Sequence, residues 1–219
     1  MTDQDPAGKH SDAQPLLTLT EQAPSGKVDS TADLVLDAAL ARFIEFGLRR
    51  TTMDDVARRA GIGRATLYRR FGDKDQLVQA VILRECQQQL ALIEQHLEGQ
   101  HSAVDTVIEA FVLAVTRAHV HPLLIRLLSS EAETILPYLT TRLPQVTTFA
   151  RLYLAAQLSK SQHSGQIAAL PAEHTAELLL RLLQSLVLSP VGVIDPSSET
   201  SVREFANTFL RPLLTPAST

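Results

Sequence analysis

The 219-residue chain has no tryptophan, one cysteine and only ten phenylalanines and tyrosines together. A lone thiol, Cys86, excludes an intramolecular disulfide framework and suits a reducing compartment. No apolar run approaches the roughly 20 residues that cross a bilayer. The longest, LLLRLLQSLVL from Leu178, is broken by Arg181. A basic-then-apolar leader is also missing, so we expect a soluble, cytoplasmic protein with no membrane partner. Strand signals are absent too: β-branched runs are short, and neither Asn-Gly nor Asp-Gly occurs to turn a hairpin. The chain has no G-x-S-x-G elbow, no glycine-rich phosphate loop and no H-E-x-x-H pair. The expectation is therefore an all-α protein that is not an enzyme and needs no cofactor.

Charge is unevenly spread. Residues 41–74 carry nine Lys/Arg against four Asp/Glu, a surplus of five within a chain of net charge −4, which leaves −9 for the remainder. A basic island on an acidic molecule is the footprint of a DNA-binding module joined to a body that avoids DNA.

That island contains TTMDDVARRAGIGRATLYRRFGDK, Thr51 to Lys74. Thr52 and Asp55 have the spacing of a capping box. Met53, Val56, Ala57 and Ala60 recur with helical period. Gly61 stands where a helix end wants positive φ, and Ile62 fills the corner. A second short helix from about Arg64 to Phe71 turns Leu67 and Phe71 inward and leaves Arg64, Thr66, Tyr68, Arg69 and Arg70 outside. Two short helices about a glycine turn, with apolar anchors on both, make a helix-turn-helix. The basic outer face of the second suits the major groove. A solvated, arginine-rich hairpin is the plainer reading, and the coincidence of turn, small residue and paired anchors speaks against it.

The wider pattern resembles the N-terminal domain of tetracycline-repressor (TetR) family regulators. The stretches LDAALARFIEFG, TTMDDVARRAGIGRATLYRRF and GDKDQL follow one another in that family's order and spacing over about residues 30–80. Gly63 replaces the frequent serine or threonine cap, and Gly72 a common proline. Gly63 still serves as a weaker N-cap. Arg42 and Phe46 are unusual within the first helix. The resemblance implies a ligand-responsive repressor that binds a palindromic double-stranded DNA operator as a homodimer. Its last two helices would pair with those of a second copy in a four-helix bundle. Alternatives from other classes are an architectural DNA-coating protein without effector and an unrecognised small-molecule enzyme.

Three regions are expected: a disordered arm over 1–29, a DNA-binding domain over 30–74, and a helical ligand-binding and dimerisation domain over 75–215. The arm holds only Lys9 and Lys27 against five acids and is a poor minor-groove ligand. A first helix from Ser30 to Gly47 packs Val35, Ala38, Ala39, Phe43 and Phe46 across the reading pair. Asp73 caps a fourth helix that ends near Leu97. Helices follow at about 103–120, 122–135, 137–161, 172–189 and 198–213, with Pro137 and Pro144 kinking or restarting the fourth segment of the body. The two final helices are apolar around most of their circumference and need covering.

Site expectations follow. Thr52, Arg64, Thr66, Tyr68, Arg69, Arg70 and Lys74 are candidate DNA contacts: Tyr68 and Lys74 for phosphates, Arg64 and Arg69 for base edges, Arg70 for either. Leu179, Leu183, Leu186, Phe205 and Phe209 are candidate dimer contacts, internal packing being the alternative. Phe111, Phe149 and Tyr153 are candidate walls of an effector pocket, with core packing as the alternative. Scarce aromatics and abundant Leu, Val and Ala over 100–190 favour an aliphatic effector over flat cationic ones. His119-Val-His121 with Glu131 and Glu133 lacks converging metal-ligand geometry, and is read as helix-terminal histidine meeting exposed carbonyls. Cys86, flanked by Arg84 and Glu85, is read as an ordinary helical cysteine.

Overall fold

A computed structural model describes residues 30–99 and 102–216. The expected arm, residues 1–29, lies outside the described residues. Among those described, every regular element is helical. They are α1 (Ser30–Arg50), α2 (Met53–Ala60), α3 (Arg64–Phe71), α4 (Lys74–Leu97), α5 (Ala103–Val120), α6 (Pro122–Ser130), α7 (Ala132–Thr140), α8 (Pro144–His163) and α9 (Ala172–Leu188). The chain closes with α10 (Glu199–Phe205), a π-helical stretch (Ala206–Leu210) and α11 (Arg211–Leu214). No single described helix is long and apolar enough to cross a membrane.

Two apolar cores organise these helices. The first gathers Val35 and Phe43 of α1, Val56 of α2, Leu67 of α3, Leu77 and Val81 of α4, Leu127 of α6 and Ile135 of α7. The second joins Ile108, Val112 and Val115 of α5 to Leu158 of α8, Ala176 and Leu179 of α9, and Val202, Leu210 and Leu214 at the C-terminal end. The first core does not stop at residue 74: α6 and α7 complete it, and α1 packs directly on α6.

The α1–α2 joint shows why. Gly47 adopts φ 82 and ψ 170 and ends the regular ladder of α1. A Cβ there would overlap the Glu131 carboxylate. Thr51, fully buried, donates its hydroxyl to the Gly47 carbonyl at 2.8 Å. Glu131 in turn accepts the Arg49 backbone N–H at 3.0 Å. The body thus reaches into the corner of the reading head through one carboxylate.

The same residue overturns an expectation. Residues 122–135 do not form one piece: Glu131, at φ −142 and ψ 38, divides α6 from α7. Its turn toward Arg49 takes it out of helical geometry. Pro137 does not restart a helix but lies within α7, in a segment of nine residues. α8 starts at Pro144, where a missing N–H is harmless, and runs to His163 rather than Ser161. The single helix expected over 198–213 is interrupted by the π-helical stretch. Pro212 cannot donate to a carbonyl one turn back, and the ladder widens just ahead of it.

Candidate nucleic-acid interface and ligand cavity

Local chemistry positions the reading helices. Thr52 is the N-cap of α2: its hydroxyl accepts from Asp55 N at 3.2 Å while Asp55 accepts from Thr52 N at 3.0 Å, a closed capping box. The Thr52 hydroxyl, donating to the carboxylate at 2.6 Å, and the Thr52 N–H hold the Asp55 carboxyl below its ordinary value, with Arg42 and Arg58 assisting. Gly61 ends α2 in the left-handed region at φ 67 and ψ 27. That conformation suits glycine and lets Ile62 N bond back to Ala57 O. Gly63 caps α3 without a side chain. Leu67 is fully buried, and Phe71 packs beside it on the first core.

On the outer face of α3, Arg64, Tyr68, Arg69 and Arg70 are exposed and Thr66 is half-buried. Arg64 pairs with Asp54 at 2.5 Å, so its guanidinium is steered from α2. Arg42 is not part of this surface: it lies over the Phe46 ring at 3.8 Å and near Asp55 at 3.8 Å. Lys74 opens α4 half-buried, and burial pushes its ammonium down against the pull of Glu131. Thr52 is exposed, but its hydroxyl is engaged in the box.

α4 is fastened at this end. Asp73 caps it by accepting from Gln76 N at 2.9 Å. Asp75 receives the Tyr138 hydroxyl of α7 at 2.5 Å, and Gln79 accepts from Gln145 of α8 at 2.9 Å. Burial and the Asp75 contact push the Tyr138 phenol up to about 12. One turn further along, Arg84 reaches Asp37 of α1 at 2.8 Å and the Asp33 carbonyl at 3.3 Å.

The far half of α4 walls a cavity of about 730 Å³, closed by α5, α8 and α9. Leu90, Ile93, Val107, Ala110, Leu154 and Leu180 are among its lining. Phe111 and Tyr153 line it as well, and the Tyr153 hydroxyl bonds Glu94. Phe149 does not line it: its ring stacks on the outer side of Tyr153, 6.3 Å between centroids, and is 37% exposed. A helical offset of four put Phe149 beside Tyr153 without putting it on the inner face. A second cavity of about 280 Å³ adjoins the first across Cys86, Leu90, Ile93, Ala114 and Leu183. Burial pushes the Cys86 thiol up.

The candidate dimer residues divide. Leu179 is 3% exposed and belongs to the second core, and Leu183 lines both cavities. Leu186 is half-buried on that core, and Phe205 lies between Phe111 and Phe209 at 6.3 and 5.3 Å. Only Phe209, 64% exposed, stands outward. Leu178 and Leu213, which pattern reasoning passed over, are exposed as well. A helix apolar on all sides gives no period from which to choose a face. His121 departs from its expectation too: its ring meets the Glu85 carboxylate at 3.2 Å rather than backbone carbonyls. The partners are 36 residues apart, and no local spacing signals the pair.

A capped helix-turn-helix with an exposed basic second helix, set on a helical body, defines a DNA-binding transcriptional regulator. Residues 35–81 match the model of bacterial regulatory proteins, tetR family. The HTH-type transcriptional regulator UidR of Escherichia coli is 26% identical over 193 residues, covering 84% of this chain and 93% of its own. An HTH-type transcriptional regulator of Mycobacterium tuberculosis is 28% identical over 165 residues, or 75% of this chain and 84% of its own. Among solved structures, the TetR family repressor AlkX from Dietzia superimposes with a TM-score of 0.63 at 25% identity, over 86% of this chain and 99% of that one. Residues 35–81 thus form a DNA-binding domain similar to that of the tetR family, and the chain is a transcriptional regulator rather than an enzyme.

Proposed function

We propose that the protein is a cytoplasmic repressor that binds a palindromic operator as a homodimer and releases it when an apolar small molecule enters the body. The observation that carries this reading is the course of α4. It begins beside α3 at Lys74 and walls the 730 Å³ cavity with its other half. Residues 30–74 act as the reading head and 75–215 as the ligand-binding and dimerisation body. Arg64 and Arg69 address base edges, Tyr68 and Lys74 phosphates, and Arg70 either, with Thr52 and Thr66 at the edge of the contact. Lys74 lies at a helix N-terminus that already favours an anion. Phe111 and Tyr153 are the pocket walls retained from the sequence. Phe209, with Leu178 and Leu213, forms the outward apolar face that a second copy covers. The aliphatic lining supports an aliphatic effector, and AlkX, similar in fold, is implicated in biodegradation of n-alkanes.

Selection of bound fragments from random double-stranded DNA, followed by footprinting, tests the reading. Two half-sites about 34–36 Å apart are expected, matching successive major grooves. An effector that weakens operator binding must bind the DNA complex more weakly by the same factor. Calorimetry with and without the selected DNA measures this. Uniform coating of all sequences would overturn the repressor reading.

A further inference from the structure

The two cavities of the body lie one after the other along α4. The smaller touches that helix from Ile82 to Ile93 and the larger from Cys86 to Glu98, and they meet at Leu90, Ala114 and Leu183. Polarity changes along this path. On the wall of the larger cavity stand Glu94 and Glu98 of α4, Thr106 of α5, and Gln157 and Lys160 of α8, all but Thr106 exposed. These form its mouth, where Glu94 accepts the Tyr153 hydroxyl. The smaller cavity has polar residues on its wall as well, but they are engaged within the protein. His121 meets Glu85 at 3.2 Å, Arg117 donates to Gln89 at 2.9 Å, and Gln184 donates to the Leu139 carbonyl at 2.6 Å. The surface left for an occupant is hydrocarbon, from Ile82, Leu123, Leu124, Ile135, Leu139 and Val146.

An occupant of such a path gains from every methylene it buries, whereas a polar group at the inner end would lose its water without replacement. We propose that the two cavities together hold one single-chain amphiphile, its polar head at Glu94 and Lys160 and the end of its tail in the smaller cavity. From Glu94 to Ile82 α4 rises about 18 Å. An extended chain of about 12–14 carbons covers that span and one of about eight does not. The inner end is also where occupancy reaches the reading head. Leu123 of α6 and Ile135 of α7 belong both to the wall of the smaller cavity and to the first core. Between them Glu131 holds the Arg49 N–H at 3.0 Å. A tail that enters loads the joint on which the head is seated, and a chain confined to the larger cavity does not. This inference rests on the reading of the body as an effector site. It adds the class of effector and the chain length at which DNA is released.

Calorimetry on the full-length protein with 1-octanol, 1-dodecanol and 1,12-dodecanediol is the test. 1-Dodecanol should bind at least about tenfold more tightly than 1-octanol, since each further buried methylene adds roughly fourfold. It should also bind at least about tenfold more tightly than the diol, whose second hydroxyl would be buried unpaired. In fluorescence anisotropy with the selected operator, saturating 1-dodecanol should weaken DNA binding at least about tenfold and saturating 1-octanol less than about twofold. Ala114→Leu narrows the passage between the cavities. It should erase the advantage of 1-dodecanol while leaving 1-octanol bound. Should that variant not fold, Leu124→Trp, which fills the smaller cavity, is expected to do the same. The two-cavity site is overturned, and the effector cavity left standing, by any of four results. These are 1-dodecanol binding no tighter than 1-octanol or the diol, an advantage that survives both variants, no operator release by 1-dodecanol, or equal release by 1-octanol. Val107→Trp, which fills the larger cavity, should abolish binding of all three probes. Binding of none by the wild type, or binding indifferent to Val107→Trp, overturns the effector cavity and the two-cavity site together.

Discussion

The reading head and the body solve opposite problems with the same helical material. In the head, short helices are ended by side chains and glycines within a few residues, and Leu67 is fully buried in the first core. In the body, long helices stand apart over two cavities and expose Phe209, Leu178 and Leu213. A module that must present the same donors to DNA gains from being closed and rigid. One that must admit a ligand and a second copy has to leave room and apolar surface. If that contrast is right, substitutions of one chemical type should act differently in the two regions.

The largest effect is expected at the outward face of the body. Phe209→Glu combined with Leu178→Glu should give monomers in sedimentation with helical content retained. Operator affinity should fall by about 10²–10⁴-fold, because the half-sites are then bound independently. Leu179→Glu, although only one residue from Leu178, should instead unfold the second core. Dimers that persist in the double variant would place the interface elsewhere.

Packing provides the next contrast. Leu67→Ala should lower the unfolding free energy by about 2–5 kcal/mol, as deletion of a sealed leucine does. Ala110→Leu adds volume to the wall of the 730 Å³ cavity. It should be neutral or stabilise by about 0.5–2 kcal/mol, as cavity filling does, while blocking any ligand. Denaturant melts of the two variants compare head with body directly. A large loss from Ala110→Leu would mean that the cavity is narrower than its lining implies.

This contrast also explains what was legible in the sequence. The Thr52–Asp55 box, the Gly61 cap and the inward Leu67 depend on neighbours within four residues, so their spacing announced them. The bounds of α3 and α5 followed for the same reason. The break at Glu131 depends on the Arg49 N–H, 82 positions away, and the Glu85–His121 pair on a contact between α4 and the α5–α6 joint. Neither leaves a local mark. The outward stripe of α9 was misread because Leu178, Leu179, Leu182, Leu183 and Leu186 cover its circumference, and only packing tells Leu178 from Leu179. Phe149 and Tyr153 lie one helical turn apart, and only Tyr153 reaches the cavity.

At the DNA surface the expected effects are smaller and differ in kind. Arg64→Ala should cost about 1–3 kcal/mol of discrimination at one base pair. Lys74→Ala should weaken all sequences alike and flatten the salt slope by about 0.9. Lys74 is half-buried beside Glu131, so its removal tests whether a cation seated partly in the first core still reaches a phosphate. An unchanged slope with lowered stability would assign Lys74 to the Glu131 corner alone.

The smallest effect belongs to the capping box, and pH separates its parts. Thr52→Ala should destabilise the fold by about 1 kcal/mol near neutral pH, as loss of a threonine cap does. The Thr52 hydroxyl and backbone N–H hold the Asp55 pKa below its unfolded value, with Arg42 and Arg58 adding to them and burial opposing. A carboxylate depressed in this way contributes stability that is fully present above the ordinary Asp value, about 3.9. That stability is lost as pH falls through the lower, folded value. The gap between wild type and Thr52→Ala should therefore be widest near neutrality and narrow in acid. Asp75, Asp105 and Glu109 are depressed as well, but they titrate alike in both proteins and cancel from the difference. A gap that stayed constant into acid would show that the hydroxyl caps α2 without help from the carboxylate. Asp55→Asn would then be as stable as wild type.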